Sequence, residues 1–354
     1  MQLLIITQKI DETDANLGFF VGWLKQFSKH ATVTVVANEI HPGASACLSG
    51  HAVTLFSLGK ERGANRFARF FRYQRLLFQM LPASDGVFFH MCPEYALAAH
   101  ILPRVFRVKT ILWYVHGTIG WRLRLAALLV NLLCTASRES CRLRSRKVDI
   151  VGHGVAPEFF ASRLPAPRGL RLITVGRISP VKNMRTLVLG FLELQKRFPD
   201  TTLSIVGEPI TEVDRLYREE VRGLSPHARF QGGISHTELP RVLGEATAFI
   251  HASRTGSMDK AALEALAAGL PVFTSSEAFS EDIPGVVKFR EDDPKDLAEK
   301  ITETHRRGEI SYNEAASALV RRNHSLERLI ERIVAFYTGF PPTPAPAEHT
   351  GGLE

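Results

Sequence analysis

A glycine-led segment with two cations is the part of the sequence best suited to binding an anion. Gly176 is followed by Arg177 and, five residues later, by Lys182, across a proline-containing turn. Glycine allows a sharp turn close to a ligand, and the arginine fork and the lysine point charge can converge on one diphosphate. A helix predicted to start near Asn183 would add its positive end. The alternative interpretation of this segment is a solvated basic loop that binds no ligand.

A single carboxylate lies in an otherwise apolar helix pattern. Glu264 is surrounded by small and apolar residues over 261–268, which lead into an apolar strand pattern. Because an unpaired buried carboxylate is costly, Glu264 must have partners, and the hydroxyl groups of a ribose would serve. The alternative is a glutamate on the helix surface, which the apolar neighbours disfavour.

A Gly/Ser turn precedes this helix. It runs from Ser253 to Lys260 and contains Gly256, Ser257 and Asp259. Its backbone N–H groups and the start of the helix could receive a phosphate or a sugar. Ser257 or Asp259 could instead only cap the helix. Capping and binding are compatible, so this turn does not decide between them.

The elements that must position these residues alternate between strand and helix. In the first half, strand patterns occupy residues 2–7, 32–37, 53–57, 86–90, 110–115, 134–137 and 148–151. Helix patterns lie between them at 17–30, 62–81, 93–106 and 120–132. This alternation implies βαβ units and a parallel sheet.

The same alternation restarts after a linker rich in Gly, Pro and Arg at 152–168. Strands are predicted at 170–175 and 202–206, in a segment ending at Phe230, at 247–251 and at 271–274. Helices are predicted at 184–197, 212–223, 239–245, 259–268, 294–306 and 326–337. Parallel sheets bind ligands at the carboxyl ends of their strands, and the three segments above begin at such ends.

Length and composition limit the classes of protein to which this chain could belong. The 354 residues fit two domains, and no run of about 18 apolar residues predicts a membrane span. The four cysteines have no metal-ligand spacing, and no secretory signal pattern is seen at the start, so we expect a cytoplasmic protein.

Charge is concentrated in the first half. Residues 1–150 contain 19 Lys and Arg against 9 Asp and Glu, and the remainder contains 25 against 27. Such a basic half indicates nucleic acid, an anionic membrane or a phosphorylated substrate as a partner, or only a solubilising surface. Nucleic acid is disfavoured because no recognition motif occurs and the anion-binding pattern lies in the neutral half.

A basic and aromatic helix pattern at 60–81, together with the cations of Arg138–Lys147, could lie on an anionic membrane. In the pattern Arg62, Arg66 and Arg69 share one side, and several phenylalanines supply apolar surface. The alternative is a helix that packs its aromatic side chains onto the sheet.

The order of these motifs resembles family 4 of the retaining glycosyltransferases with the GT-B fold, the glycosyl transferases group 1. The resemblance covers about residues 170–275: Gly-Arg-x-Ser-Pro-x-Lys, a strand ending at Gly207, Phe230-x-Gly232, Ser253, and Leu-Glu-Ala-x-Ala-x-Gly-x-Pro-Val. The first half is similar more loosely, through Thr7-Gln8, Trp113–Gly117 and Thr135–Ser137. The helix at 326–337 resembles the last helix of the family, which returns to the N-terminal domain.

The resemblance implies an α/β fold of two Rossmann-like, doubly wound domains that face each other across a cleft. Residues 1–150 would form the acceptor-side domain, with a C-terminal helix at 325–339 packing back on it. Residues 151–324 would form the nucleotide-sugar-binding domain, and the Pro-rich tail at 340–354 would be disordered.

The resemblance also implies roles for individual residues. Arg177 and Lys182 would hold the donor diphosphate and neutralise the leaving group, Glu264 would bind the ribose, and His116 would approach the transferred sugar. The alternative for His116 is a buried histidine bonded to backbone. Further donor-side and acceptor-side residues are implied: Gly176, Gly207, Ser253, Gly256, Ser257, Asp259 and Lys260 for the donor, and Asp14 and Gly18 for the acceptor.

The function implied is transfer of a sugar, with retention and without a metal or other cofactor, from a nucleotide-diphosphate sugar to a saccharide or lipid-linked saccharide. Bacterial-type polysaccharide or glycolipid biosynthesis is the expected setting, with the enzyme cytoplasmic and peripheral on the inner membrane face.

One position departs from the family pattern. The family carries a second glutamate eight residues before the ribose glutamate, where this chain has Gly256. Asp259 or Lys260 could substitute, or the donor sugar could differ. A catalytically weak nucleotide-sugar-binding subunit is therefore the alternative function. An epimerase is weakened by the same glycine, and a phosphorylase requires a much longer chain.

Overall fold

The computed structural model describes residues 1–14, 17–160 and 169–339. These divide into two compact units, one of residues 1–154 and 326–339 and one of residues 155–325, apart from the gaps. Residues 161–168 of the predicted linker and the predicted disordered tail at 340–354 lie outside the described residues.

The first unit contains a seven-stranded parallel sheet. Its strands are β1 (Gln2–Ile10), β2 (Thr32–Ile40), β3 (Val53–Ser57), β4 (Gly86–His90), β5 (Lys109–Trp113), β6 (Leu132–Thr135) and β7 (Val148–Ile150). The order is β3-β2-β1-β4-β5-β6-β7. In register, Leu3 of β1 lies opposite Val33 of β2 and Gly86 of β4. The chain therefore winds outward from β1 in both directions.

Helices cover both faces of this sheet. They are α1 (Phe19–Phe27), α2 (Ala44–Cys47), α3 (Arg66–Met80), α4 (Pro93–Ala99), α5 (Leu102–Val105) and α6 (Trp121–Leu129). Alternate residues of each strand face opposite cores because side chains alternate along a strand. Leu3 and Ile5 pack on the side of α1, whereas Leu4 and Ile6 pack on the side of α3, α4 and α6.

The second unit repeats this architecture with six parallel strands: β8 (Arg171–Val175), β9 (Thr202–Val206), β10 (Ala228–Gly232), β11 (Ala248–His251), β12 (Val272–Thr274) and β13 (Val286–Lys288). The order is β10-β9-β8-β11-β12-β13. Its helices are α7 (Met184–Gln195), α8 (Glu212–Leu224), α9 (Leu239–Gly244), α10 (Lys260–Ala267), α11 (Pro294–Arg306) and α12 (Glu314–His324). Both units are thus Rossmann-like, which confirms the predicted fold class at this level.

The last helix, α13 (Leu326–Thr338), belongs to the first unit. Its leucines and isoleucines are buried in the core that includes α1. The Tyr337 hydroxyl donates to the Val87 carbonyl over 2.7 Å, and the Lys109 ammonium donates to the carbonyl of Phe336 over 3.1 Å. These bonds attach α13 to β4 and β5.

Several elements differ from the sequence-based prediction. The predicted helix at 62–81 begins only at Arg66, because Asn65 caps it by accepting from the Ala68 N–H over 2.9 Å. The predicted helix at 93–106 is two helices, since His100 has a φ of +51° and ends α4. Strand β13 and helix α12 were not predicted. Within the described ranges, no helix combines the length and apolarity needed to cross a bilayer.

The packing of α13 gives a testable prediction. A Cβ atom on Gly86 would lie 2.4 Å from the buried ring of Tyr337, so Gly86→Ala should destabilise the protein by about 1–3 kcal/mol through overpacking. Gly22→Ala is the matched control: nothing lies within 4 Å of its added Cβ, and alanine in a helix should stabilise by about 0.5–1 kcal/mol. Thermal unfolding midpoints measure both. Equal midpoints for the two variants would contradict the position of α13.

Candidate functional site

The sheet of the second unit has a topological switch point between β8 and β11. These strands are neighbours, and the chain leaves them towards opposite edges of the sheet. Doubly wound sheets bind ligands at the carboxyl ends of such a strand pair. Gly176 directly follows β8 and Ser253 follows β11 by two residues. The structure therefore brings two predicted donor segments to one crevice.

Gly176 and Gly207 lie against each other at the ends of β8 and β9. Their φ angles are +147° and +141°, in a region that favours glycine. A Cβ atom on Gly207 would lie 2.0 Å from the Gly176 carbonyl oxygen. The Gly176 N–H donates to the Val206 carbonyl over 2.9 Å. Only glycine fits at 207, and bare backbone lines this part of the crevice.

The two predicted cations have different surroundings. Arg177 is exposed, and no hydrogen bond or ion pair joins it to another residue in the described part of the chain. Lys182 ends the 3-10 turn Pro180–Lys182, and its ammonium forms an ion pair with Asp259. Asn183, with a φ of +51°, separates this turn from α7. Arg177 can therefore meet an incoming anion directly, whereas Lys182 already has a counterion.

Asp259 is the centre of a charge cluster at the start of α10. Its carboxylate caps the helix by accepting from the Ala261 N–H over 3.3 Å, and it also contacts Lys182 and the His251 Nε2 at 3.2 Å. The His251 Nδ1 in turn lies 2.9 Å from the Thr274 hydroxyl. Burial opposes ionisation of Asp259, but the charge of Lys182 and the bond from His251 outweigh it, so the pKa lies far below its usual value.

Glu264 is buried, as the apolar pattern predicted, and its partners are protein side chains. Its carboxylate lies 2.8 Å from the Nε2 of His236 and 3.6 Å from the ammonium of Lys260. Burial lowers the pKa of Lys260, and the charge of Glu264 acts in the opposite direction. The His236 ring also packs against Phe159, with 5.1 Å between ring centroids. A ribose would share this carboxylate with His236 and Lys260.

The turn before α10 is held by its own hydroxyl groups. The Thr255 hydroxyl lies 3.1 Å from the hydroxyls of both Ser253 and Ser257. Gly256 has a φ of +61°, which would be strained for a glutamate. The Arg254 N–H donates to the Val181 carbonyl over 2.8 Å. This backbone bond joins the turn to the segment that carries Lys182.

The predicted acceptor-side residues, Asp14 and Gly18, lie between β1 and α1. The Asp14 carboxylate contacts the Lys9 ammonium at 2.7 Å and accepts from the Leu17 N–H over 2.9 Å. A Cβ atom on Gly18 would lie 2.5 Å from the Asp14 carbonyl oxygen and 2.6 Å from that of Glu12. Glycine at 18 is thus a packing requirement where the chain enters α1.

His116 follows β5 and is exposed, so the alternative of a buried histidine is wrong. Its Nδ1 accepts from the Thr118 N–H over 3.2 Å. A neutral ring with this acceptor carries its proton on Nε2. The role of His116 towards a transferred sugar stays a prediction.

Sequence reasoning missed the histidines of the site. His251 ends the buried, apolar strand β11, and a polar residue at such a strand end was the available signal. His236 lies 28 residues before Glu264, and no local pattern relates them. The pairing of Lys260 with Glu264 could have been found, because residues four apart face each other on a helix.

A family model described as Glycosyl transferases group 1 matches residues 169–307. The glycogen synthase of Mycobacterium tuberculosis is 29% identical over 170 residues, 46% of this chain and 40% of that protein. The D-inositol 3-phosphate glycosyltransferase of Frankia alni is 28% identical over 217 residues, 55% of this chain and 49% of that protein. The chain spans less than half the length of either relative.

Two solved structures share the fold along the chain. Anabaena HepE in complex with UDP has a TM-score of 0.75 at 14% identity, covering 96% of this chain and 100% of HepE. The sucrose-phosphate synthase of Thermosynechococcus elongatus has a TM-score of 0.73 at 14% identity, covering 96% and 99%. These likenesses concern the fold alone. The family model thus matches residues 169–307, which lie in the second of the two Rossmann-like units.

Proposed function

We propose that this protein is a glycosyltransferase that moves a sugar from a nucleotide-diphosphate sugar to a saccharide or lipid-linked saccharide. The observation that carries the proposal is the exposed Arg177, which forms no hydrogen bond or ion pair within the described residues. It lies beside Gly176 and Gly207, at the switch point of the unit that contains the glycosyltransferase family match. Complexes of HepE with UDP and UDP-glucose make a uridine nucleotide the first donor to test.

In this proposal, Arg177 and Lys182 bind the diphosphate and stabilise the charge that develops as it leaves the anomeric carbon. Fixed positive charge at a departing group is an effective form of electrostatic catalysis. Glu264, held by His236, would accept hydrogen bonds from the ribose. Asp259 would act as a positioning residue, since its contact fixes the ammonium of Lys182.

We further propose that transfer proceeds with retention, as in the family that the motifs resemble. The sugar develops oxocarbenium-like charge, and the acceptor would attack on the face that the diphosphate leaves. The proton of the acceptor hydroxyl would pass to the departing diphosphate. His116 is the side chain proposed to contact the transferred sugar.

The acceptor and setting belong to the same proposal. WaaG, described as a glycosyltransferase involved in lipopolysaccharide biosynthesis, shares the fold with a TM-score of 0.66, and this supports a saccharide acceptor in polysaccharide or glycolipid biosynthesis. A lipid-linked acceptor would place the enzyme as a cytoplasmic, peripheral protein at the inner membrane face.

A second candidate function is a nucleotide-sugar-binding subunit with weak activity. Three observations favour it: Gly256 lacks the carboxylate of the family motif, Lys182 is paired with Asp259, and Glu264 is paired with Lys260. Stabilisation by a nucleotide sugar without donor consumption, in the presence of a range of saccharide acceptors, would favour this candidate.

Arg177→Ala should weaken the affinity for the nucleoside diphosphate by about tenfold to hundredfold, because a charge-assisted hydrogen bond is lost. A ligand that binds the folded state raises its melting temperature, so thermal shifts with UDP, GDP and ADP measure the loss. Arg215→Ala is the matched control, since Arg215 is exposed on α8 and pairs with Glu212. Equal thermal shifts with nucleotide in the two variants would show that Arg177 does not contact the nucleoside diphosphate.

Asp259→Asn should lower the unfolding free energy at neutral pH by about 1–3 kcal/mol, because Lys182 loses a largely buried counterion. The folded pKa of Asp259 is below its unfolded value of about 4. Its contribution is therefore full above about pH 4 and is lost as pH falls towards the folded pKa. The difference in melting temperature between wild type and variant should shrink from about pH 6 to about pH 3.

The same variant gives a second readout. UDP should raise the melting temperature of Asp259→Asn more than that of wild type, because the diphosphate replaces the lost charge beside Lys182. Asp200→Asn, which changes an exposed aspartate before the amino end of β9, is the control. A smaller UDP shift in Asp259→Asn than in wild type would contradict the placement of the diphosphate.

No metal is expected to take part, because two side-chain cations are proposed to neutralise the leaving group. Donor consumption by the wild type should therefore be unchanged within about twofold by excess EDTA, since metal removal otherwise costs several kcal/mol of barrier stabilisation. Loss of turnover with EDTA and recovery with Mg²⁺ or Mn²⁺ would overturn this part of the proposal.

A further inference from the structure

The outer side of α3 carries aromatic residues that are exposed in the described part of the chain. Phe67, Phe71 and Phe78 have 69%, 70% and 59% of their surfaces exposed. Their spacing places them on one side of the helix, because successive residues turn by about 100°. The helix packs on the sheet through Tyr73 and Leu77 on the opposite side. The sequence-based alternative, in which the phenylalanines pack onto the sheet, is therefore wrong.

A second helix of the same layer, α6, also exposes apolar side chains. Trp121, Leu125 and Leu128 are exposed at spacings of four and three residues on α6, while its Leu123 and Ala126 are buried. Arg122 and Arg124 flank this apolar stripe, one on each side. The exposed side of α6 therefore combines apolar side chains with cations.

Contacts join these helices into one layer. The Gln74 amide of α3 donates to the Ala98 carbonyl of α4 over 2.7 Å. The Arg104 guanidinium, at the end of α5, donates to the Leu128 carbonyl of α6 over 2.5 Å. The Phe78 ring meets that of Phe106 edge-to-face at 6.0 Å. We call the exposed surface of this layer, with its arginines, the arginine–aromatic face. Its apolar side chains are Phe67, Phe71, Phe78, Val105, Trp121 and Leu128.

All but one of the charged side chains on the helices of this layer are arginines. Every charged side chain of α3 and α6 is an arginine, and so are those of 101–108. Glu94 of α4 is the acidic exception among the helices of the layer, and it lies 3.5 Å from Arg122. Cationic side chains near a membrane surface each contribute about 1 kcal/mol of attraction to anionic lipid. The face thus combines apolar surface with the charge that complements a phospholipid headgroup.

We propose that the arginine–aromatic face docks on anionic phospholipid, with the phenylalanines, Trp121 and Leu128 entering the headgroup region. This rests on the proposed function, because a lipid-linked acceptor must be reached at a membrane. A second copy of the chain would bring arginines against arginines. Nucleic acid would use the arginines and aromatic rings but not Val105 or Leu128, whose aliphatic chains suit acyl chains.

Trp121 is a built-in probe of this docking. Trp23 and Trp113 are buried, so the exposed Trp121 is the tryptophan whose surroundings would change. We expect the full-length protein to sediment with vesicles of phosphatidylcholine containing about one-third phosphatidylglycerol, with a blue shift of tryptophan emission. Vesicles of phosphatidylcholine alone should bind much less, and raising salt from about 0.05 M to about 0.5 M should release the protein.

Paired substitutions test the face itself. Phe67→Ser with Phe71→Ser should lower the vesicle partition coefficient by about tenfold or more, because apolar burial is lost. The matched control is Val213→Ser with Leu216→Ser, which changes two residues on α8 with similar exposure, 65% and 67%. This control should bind vesicles as the wild type does. Both double variants should keep the thermal shift with UDP.

Four outcomes would overturn the proposal. Two concern vesicles: the wild type does not bind anionic vesicles at low salt, or the two double variants lose vesicle binding equally. The other two concern different partners: light scattering shows a dimer that only the Phe67→Ser, Phe71→Ser variant dissociates, or the protein binds single-stranded DNA in place of vesicles. The thermal shift with UDP separates this proposal from the proposed function. If UDP raises the melting temperature of the wild type but the protein does not bind vesicles, only the membrane-docking proposal is wrong. If no nucleotide sugar raises the melting temperature, the proposed function is wrong.

Discussion

The ion pair between Lys182 and Asp259 is the interaction on which the candidate site depends. It joins the turn after β8 to the start of α10, across the switch point of the second sheet. Both side chains are largely buried, where charges interact strongly and neither can be left alone without cost. The backbone bond from Arg254 to Val181 runs parallel to it. These two links hold the cation segment and the helix-start segment in one arrangement.

A second constraint is the close approach of backbone at the strand ends. Gly176 and Gly207 are too close for a side chain at 207, and Gly256 adopts a left-handed conformation. The missing glutamate of the family motif is thus accompanied by a local backbone that disfavours it. Asp259 is not a simple substitute, because its carboxylate is turned to Lys182 and His251. The charge cluster of Lys182, Asp259 and His251 therefore takes up the start of α10 in the candidate site.

The fold could be predicted from alternation of strand and helix patterns, and helix 294–306 matches α11 to the residue. Elements with weak patterns were missed. Strand β13 has three residues, and α12 buries few apolar side chains, so neither gives a clear period. The sequence could predict which segments lie close together in the candidate site, because the topology brings the carboxyl ends of neighbouring parallel strands to one edge of the sheet. The ion pair of Lys182 with Asp259 could not be predicted, because these residues are 77 positions apart.

The pairing of Lys182 has a consequence for catalysis under the proposed function. Only interactions that are stronger in the transition state than in the ground state accelerate a reaction. With Asp259 as counterion, Lys182 offers little net charge to a bound donor, so ground-state affinity depends mainly on Arg177. As the glycosidic bond breaks, charge accumulates on the diphosphate beside Lys182, and its attraction to the ammonium grows while that of Asp259 stays constant. A lysine held in this way therefore contributes more to leaving-group departure than to donor binding, which is the differential that a transferase requires.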